Sequence, residues 1–596
     1  MIGSSLLISL CMIVKDEENN IGRSLESVKG LVDEMVIIDT GSEDKTVQKA
    51  KEFGAQIHYF PWQNDFSAAR NHALSKAKGL WILFLDADES LGKVMANKFR
   101  KSLRAAKEEG FYLTIFNYQG SNQGDFLRTY SLRLFRNNCL YKYEGKIHEQ
   151  ILPSIKKAKP QALIGRSQLI IHHYGYLEEE FKVKNKAARN LEILLGESSM
   201  VKKSAFYCLN LAMEYIRIGE LSKAEEKLKE GWKNVNKKDS YAHGLLLKLI
   251  ACLYWQEKNE EAIEFCKSGL TIYPDYSDVY YYYGVCLAKV GDLLNAKKIL
   301  LEGLNVGESS KKYISQGGSG SYLNLYTLGQ IEEQGLNFHQ ALDYYLQALR
   351  LQPQNFKYLR GLIRVLLRCN VDKKSFLIKN NLLTTEYLLT IINEIFKLGD
   401  YSLVNEIVSN KKGKEYKNWD IHLLKGKSLL MLGKYNEALE SLDKIPQNKA
   451  QRKEALFYSW IGCQLQEKYV LSKNYLEQIR VLDPGLYNLL IEIDNLLQFG
   501  CKADNDDYKK LQNNECVLAL LHIIDTFAAC KAEKSLEKII RFLFDLTGEE
   551  FRSLVLKVLF KHKCYEQAIQ ILKKIDLQQM DEEEKLIAAE LYRRRC

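Results

Sequence analysis

The 596-residue chain is long enough for more than one domain, and its 46% hydrophobic and 27% charged residues are those of a globular protein. Its formal net charge of +10 is diluted over the length with no concentrated basic stripe, which argues against a nucleic-acid partner. The 13 cysteines are scattered without a CxxC pair, so they predict free buried thiols in a reducing, cytoplasmic setting rather than a disulfide framework.

The N-terminal stretch Ile2 to Val14 is apolar but has neither a basic n-region nor a small-residue cleavage site, so it reads as a first strand, Leu6 to Val14. No other stretch is long enough to span a bilayer. A helix starts at Ile21, and Glu34 to Ile38 forms a second strand ending at Asp39. Asp44 to Phe53 is helical, with Gly54 as its stop. Gln56 to Phe60 is a third strand, Phe66 to Lys78 a helix, and Leu80 to Leu85 a fourth strand. This alternation predicts a mostly parallel sheet covered by helices. From Phe111 to about Gly175, extended segments rich in Tyr, Phe and Gly predict antiparallel additions at one end of the sheet.

Beyond Phe181 strand signals vanish and a helical repeat emerges. Gly329, Ala341, Tyr345, Ala348 and Pro353 stand at the spacing of a tetratricopeptide repeat, and Gly284, Ala296, Leu300 and Gly303 match the same template. Ala212 with Ala224, Ala262 with Gly269, and Gly426 with Ala438 extend it. Small residues let the two helices of a repeat touch, and bulky ones fill the groove between neighbours. The fold class is therefore α/β plus all-α, an N-terminal Rossmann-like domain followed by an α-solenoid of roughly six to ten helix pairs. Boundaries fall at 1–180 for the first domain, 181–203 for a linker helix and 204–596 for the repeats. In the linker, Lys186 and Arg189 could guard the mouth of a site, or simply face solvent.

The chemistry concentrates at strand ends. The run Leu-Trp-Ile-Leu-Phe-Leu ends abruptly in Asp86-Ala87-Asp88. Strand alternation would project both carboxylates to one side, into the crevice where open α/β sheets bind ligands. Two carboxylates there are costly unless a cation or a solvated cleft meets them. Upstream, Glu17 and Glu18 follow the first strand. Asp39-Thr40-Gly41-Ser42 ends the second, and Arg70 lies in the helix opened by Asp65-Phe66-Ser67. Asp39 could accept from a base or ribose, or merely close a turn, and Ser42 or Asp44 could cap the next helix. Arg70 could meet a phosphate or an acidic neighbour.

In order, Val14-Lys15-Asp16-Glu17-Glu18, Ile38-Asp39-Thr40-Gly41-Ser42, Asp65-Phe66-Ser67-Ala68-Ala69-Arg70-Asn71 and Asp86-Ala87-Asp88-Glu89 resemble family-2 glycosyltransferases of the GT-A fold, over about Leu7 to Asn190. Arg133-Leu134-Phe135-Arg136, Gly145-Lys146-Ile147-His148-Glu149 and His173-Tyr174-Gly175-Tyr176 are similar to a narrower branch that carries tetratricopeptide repeats. That branch includes bacterial peptide and protein glycosyltransferases, among them the cysteine-modifying enzymes of glycosylated bacteriocins. The resemblance implies inverting transfer from a nucleotide sugar, a UDP-sugar foremost, with Mg²⁺ or Mn²⁺. It implies Asp39 for the nucleoside, Arg70, Glu17 and Glu18 lining the nucleotide pocket, Asp88 on the metal, and Asp86 on the ribose or supporting the metal. The Glu-Asp pair in which many family members keep the catalytic base is missing between Asp88 and Gly175. His148-Glu149 is the substitute, with Glu149 as base and His148 as a metal or phosphate contact. A peptide or protein acceptor held by the repeats is the leading expectation, and the array leaves room for a homodimer. A glycolipid, lipopolysaccharide-core or polysaccharide precursor competes as acceptor. A non-catalytic repeat scaffold is the rival from another class.

Overall fold

The computed structural model describes residues 6–118, 126–175, 186–197, 201, 204–409, 418–499, 514–544, 549–575 and 580–595. By its contacts the chain divides into two compact units, Met1–Tyr358 and Leu359–Cys596.

The first unit opens with β1 (Ile8–Val14), α1 (Ile21–Val28), β2 (Glu34–Asp39), α2 (Thr46–Glu52), β3 (Gln56–Tyr59), α3 (Phe66–Lys76) and β4 (Trp81–Phe84). It continues with β5 (Glu89–Leu91), α4 (Ala96–Ala105), β6 (Gly110–Tyr118), β7 (Phe126–Arg136), α5 (Leu152–Ala158) and β8 (Ile164–His173). The sheet runs β3-β2-β1-β4-β7-β6-β8-β5, parallel from β3 to β4 and antiparallel where β7 joins β4 and β6. β8 pairs parallel with β6 and antiparallel with β5.

β1, β2 and β4 are mainly apolar because helices cover both faces, whereas the edge strand β3 is polar and partly exposed. On one face Leu10 and Met12 pack with Ile21, Leu25 and Val28 of α1 and Leu103 of α4. On the other, Cys11, Ile82 and Phe84 pack with Ala73 of α3 and Ile155 of α5. The Asp65 carboxylate caps α3 by accepting the Ala68 N–H at 2.9 Å. Asp44, just before α2, accepts the Thr46 N–H at 2.9 Å.

One local expectation is corrected. The fourth strand ends at Phe84, and a turn follows in which the Glu89 N–H donates to Asp86 O at 3.0 Å. Strand alternation therefore does not set the directions of Asp86 and Asp88.

Past residue 204 the first unit is built of helix pairs, Ala205–Arg217 with Leu221–Asn234, Ala242–Trp255 with Asn259–Ile272, Ser277–Lys289 with Leu293–Val306, and Tyr322–Gln334 with Phe338–Leu351. The small positions earn their place sterically. A Cβ at Gly329 would sit 2.6 Å from the Tyr345 ring, and one at Gly284 would collide with Leu300. The second unit repeats the device. Trp419–Met431 pairs with Tyr435–Asp443, and a Cβ at Gly426 would come within 2.5 Å of Leu442.

A Ser- and Gly-rich insert, residues 307–321, interrupts the repeats of the first unit. It lies against the first helices of two pairs. Ile314 donates its N–H to His243 Nε2 at 2.8 Å and accepts from Tyr276 Oη at 2.5 Å. Burial pushes His243 down to about 4, so the ring is neutral and Nε2 can accept. The fully buried Asp278 accepts from Ser309, Ser315 and Ser319 hydroxyls at 2.9, 2.7 and 3.2 Å and from the Gln316 N–H at 2.5 Å. So anchored, the insert contributes a short strand, β9 (Ser315–Gln316), antiparallel to β7. The repeats thus complete the sheet of the first domain.

Burial raises Asp278 from its ordinary 3.8 to about 6 despite those four donors. A carboxylate raised on folding contributes most below about pH 4 and loses that contribution as pH climbs through about 6. Asp278→Asn should therefore gain stability relative to the wild type by about 2 kcal/mol between pH 4 and pH 7. Thermal unfolding across that range checks it, and parallel curves would refute the assignment.

Candidate active site

The loops after β1 and β2 interlock at the carboxyl edge of the parallel strands. The Asp16 N–H donates to Ser42 Oγ at 3.0 Å, and Asp16 Oδ1 accepts from the Glu43 N–H at 2.8 Å. Glu17 Oε2 accepts from Asn20 Nδ2 at 3.0 Å, and Glu18 Oε2 from the Lys45 N–H at 3.2 Å. Asp39, 3% exposed, accepts the Ser42 N–H at 3.2 Å and the Gly41 N–H at 3.3 Å. Gly41 has φ 110°, a conformation that favours glycine, so the turn brings its backbone close under Asp39.

Next to this edge lies a buried charge network. Arg70 Nη2 donates to Asp86 Oδ1 at 2.9 Å, and Arg70 Nε bonds Glu149 Oε1. Its guanidinium stacks 4.3 Å from the Phe84 ring centre and 5.5 Å from that of Tyr143. The other oxygen of Asp86 accepts from Arg133 Nη2 at 2.9 Å, and the same nitrogen reaches Glu89 Oε1 at 2.9 Å. Burial alone would raise Asp86, but Arg133 and Arg70 hold it well below the usual carboxylate range. Burial, aided by Asp86, pushes Glu89 up. Arg133 reaches inward from a β-bulge. Phe111 faces Leu134 and Tyr112 faces Leu132, which leaves Arg133 as the extra residue of β7.

Asp88 belongs to a separate cluster. Its Oδ1 lies 3.5 Å from His173 Nε2 at the end of β8, and both side chains are largely buried. A Cβ at Gly175 would strike Asp88 Oδ2 and come within 2.8 Å of His173 Nε2, so a larger residue at 175 would crowd both groups. Burial would lower His173, but Asp88, Glu89 and Asp86 raise it. Among the described residues no three His, Cys, Asp or Glu side chains converge to hold a metal. The expected trio of Asp86, Asp88 and His148 is not assembled, because both oxygens of Asp86 are engaged by guanidinium groups and His148 faces Glu214. The carboxylate and imidazole of Asp88 and His173 do fit a divalent cation, since such an ion takes one or two protein donors and completes its shell with substrate phosphates.

Glu149 and His148 sit in the loop Glu144–Gln150, closed by a two-way backbone bridge at 3.0 Å. The Phe66 N–H donates to Lys146 O at 2.8 Å, and Asn71 holds both the N–H and the C=O of Tyr143. His148, at φ 53°, points Nε2 at Glu214 Oε1, 3.5 Å away on the first repeat helix. Glu214 is fully buried and also accepts from Arg217 at 2.6 Å. In the linker, Arg189 lies 5.0 Å over the Phe66 ring, whereas the Lys186 side chain lies outside the described residues.

Sequence reasoning missed Arg133, Asn117 and Glu214. Arg133 stood inside a motif quoted without a role, whereas His172 and His173 end a predicted strand, from which one of them could face the cleft or be a satisfied structural residue. Glu214 carried a usable signal, a charge at an apolar-periodic position of a repeat helix.

Residues 9–160 match the family model described as Glycosyl transferase family 2. The N-terminal domain belongs to that family. Among curated relatives, a TPR repeat-containing protein of Synechococcus elongatus is 32% identical over 267 residues, 44% of this chain and 66% of its own length. The SPbeta prophage-derived glycosyltransferase SunS of Bacillus subtilis is 27% identical over 276 residues, 46% of this chain and 63% of its own. The chain thus spans a little under two thirds of the length of these relatives. Among solved structures, S. aureus TarS 1–349 in complex with UDP-GlcNAc is 15% identical, covering 42% of this chain and 92% of that one at a TM-score of 0.26.

If Glu214 holds the loop through His148, Glu214→Ala should raise hydrogen exchange of the 144–150 backbone amides by about tenfold. The amides of β6 should keep their protection. An unchanged loop would mean that Arg70 and Asn71 suffice.

Proposed function

We propose that this chain is a metal-dependent, inverting glycosyltransferase. It moves a sugar from a nucleotide sugar, a UDP-sugar, to a peptide or protein acceptor. The catalytic domain occupies 1–180, the linker helix 181–203 and the acceptor-capturing repeats 204–596, and the protein works in the cytoplasm. The observation that carries this reading is the convergence of Asp88 and His173 beside Gly175, next to the Arg70–Asp86–Arg133 network, in a family-2 domain. The repeats, and a relative named for its TPR repeats, support the polypeptide acceptor. Among the described residues no helix is long and apolar enough to cross a membrane.

Asp39 receives the nucleoside at the end of β2, and Glu17 and Glu18 border the same pocket. Asp88 and His173 hold a divalent cation, and a mixed oxygen and imidazole set favours Mn²⁺ over Mg²⁺. When bound, that cation neutralises charge developing on the diphosphate leaving group. The acceptor heteroatom attacks the anomeric carbon as the bond to the diphosphate oxygen breaks, and the acceptor proton passes to Glu149. Arg70 binds one Glu149 oxygen, which leaves the other for the proton. A cysteine thiol asks less of that base than a hydroxyl, because it ionises more readily. Asp86 acts by orienting Arg70 and Arg133, and His148 by fixing the loop that carries Glu149.

Purified protein with Mn²⁺ should hydrolyse or transfer one of a panel of UDP-sugars. Asp88→Ala should reduce turnover about a hundredfold or more. Glu149→Gln should abolish transfer while UDP binding persists. Full turnover after chelation would overturn the metal assignment, and labelling of membrane lipid instead of peptide would overturn the acceptor.

A further inference from the structure

Asn117 lies near the end of β6 and is 8% exposed. Its carboxamide has one orientation compatible with its surroundings. Nδ2 donates to Leu127 O at 3.0 Å and to Thr129 Oγ1 at 2.9 Å, both on β7. A backbone carbonyl can only accept, so the nitrogen must face β7 and the oxygen must face β8. There Oδ1 meets His173 Nδ1 at 2.8 Å. An amide oxygen can only accept as well, so Nδ1 carries a proton. The other ring nitrogen, Nε2, is the one that faces Asp88, and a proton it shares with that carboxylate gives way when a cation binds.

We propose that Asn117 is a positioning residue for the cation site. It locks His173 in the Nδ1–H tautomer and presents Nε2 as a ligand beside Asp88. The inference deepens the metal-dependent reading above and rests on it. Sheet register supports the arrangement. Asn117 pairs with His173 on one side and with Leu127 on the other, while His173 pairs with Glu89 and Leu127 with Gln316 of the insert. Asn117 is therefore held by strands on both sides, as an orienting partner of a metal ligand must be.

Two measurements on the full chain test this. In metal-free protein labelled with ¹⁵N-histidine, at a pH above the ring's titration, the His173 signal should report a protonated Nδ1 and a bare Nε2. Its loss in His173→Ala assigns it, and an Nε2–H tautomer overturns the proposal. In Mn²⁺ titrations followed by electron paramagnetic resonance, Asn117→Ala should weaken binding about 10- to 100-fold. Asn117→Asp keeps an acceptor for Nδ1 but turns its second oxygen on Leu127 O, so it should bind Mn²⁺ more weakly than wild type and more tightly than Asn117→Ala. Wild-type affinity in Asn117→Ala, with loss in His173→Ala, overturns the role of Asn117 and leaves the metal reading standing. Wild-type affinity in His173→Ala overturns both.

Discussion

One carboxylate shared by two buried guanidinium groups organises the centre of the first domain. A half-buried charge at the end of β4 needs partners, and Asp86 has them on both oxygens in Arg70 and Arg133. Each arginine then binds a second acid, Glu149 or Glu89. The network ties α3, the turn after β4, the bulge of β7 and the loop carrying Glu149 into one body. It also divides labour between two aspartates two residues apart. Asp86 is consumed internally, and Asp88 sits with His173 against the space left by Gly175.

The same rule, that a buried charge needs several donors, joins the repeats to the catalytic domain twice. Glu214 sits fully buried among Arg217, Asn190 and His148. Asp278 gathers three serine hydroxyls and a backbone N–H, and so fixes the insert that supplies β9. A truncation at the first repeat helix would remove both anchors at once. Loss of activity after such a cut therefore cannot by itself be assigned to loss of acceptor capture.

Much of the architecture is legible in the sequence because it is local. Short continuous apolar runs place β1, β2 and β4, and the packing of Gly284 on Leu300 or Gly426 on Leu442 follows from spacing alone. The placement of Glu17, Glu18 and Asp39 is legible for the same reason, since Asp39 ends β2 and the two glutamates lie in the loop after β1. What the sequence conceals is partnership. Nothing near Asp86 announces Arg133, which lies 47 residues on, or that the strand ends before the aspartates. The Ser- and Gly-rich insert has the composition of a linker, and only its grip on Asp278 and its pairing with β7 make it structural.

The two halves of the site therefore obey different constraints. The parallel half presents its groups from loops that interlock with one another, so their positions are set within short stretches of chain. The antiparallel half depends on register, where a slip of one residue would turn a side chain to the opposite face. Both irregularities of β6 bear on this. Against β7 it meets the bulge that turns Arg133 inward. Against β8 the pairing moves from Tyr112 with Arg166 to Thr114 with Ile170, a shift of two residues that preserves the face. That even shift is what brings Asn117 opposite His173, and with it the imidazole to the side of Asp88.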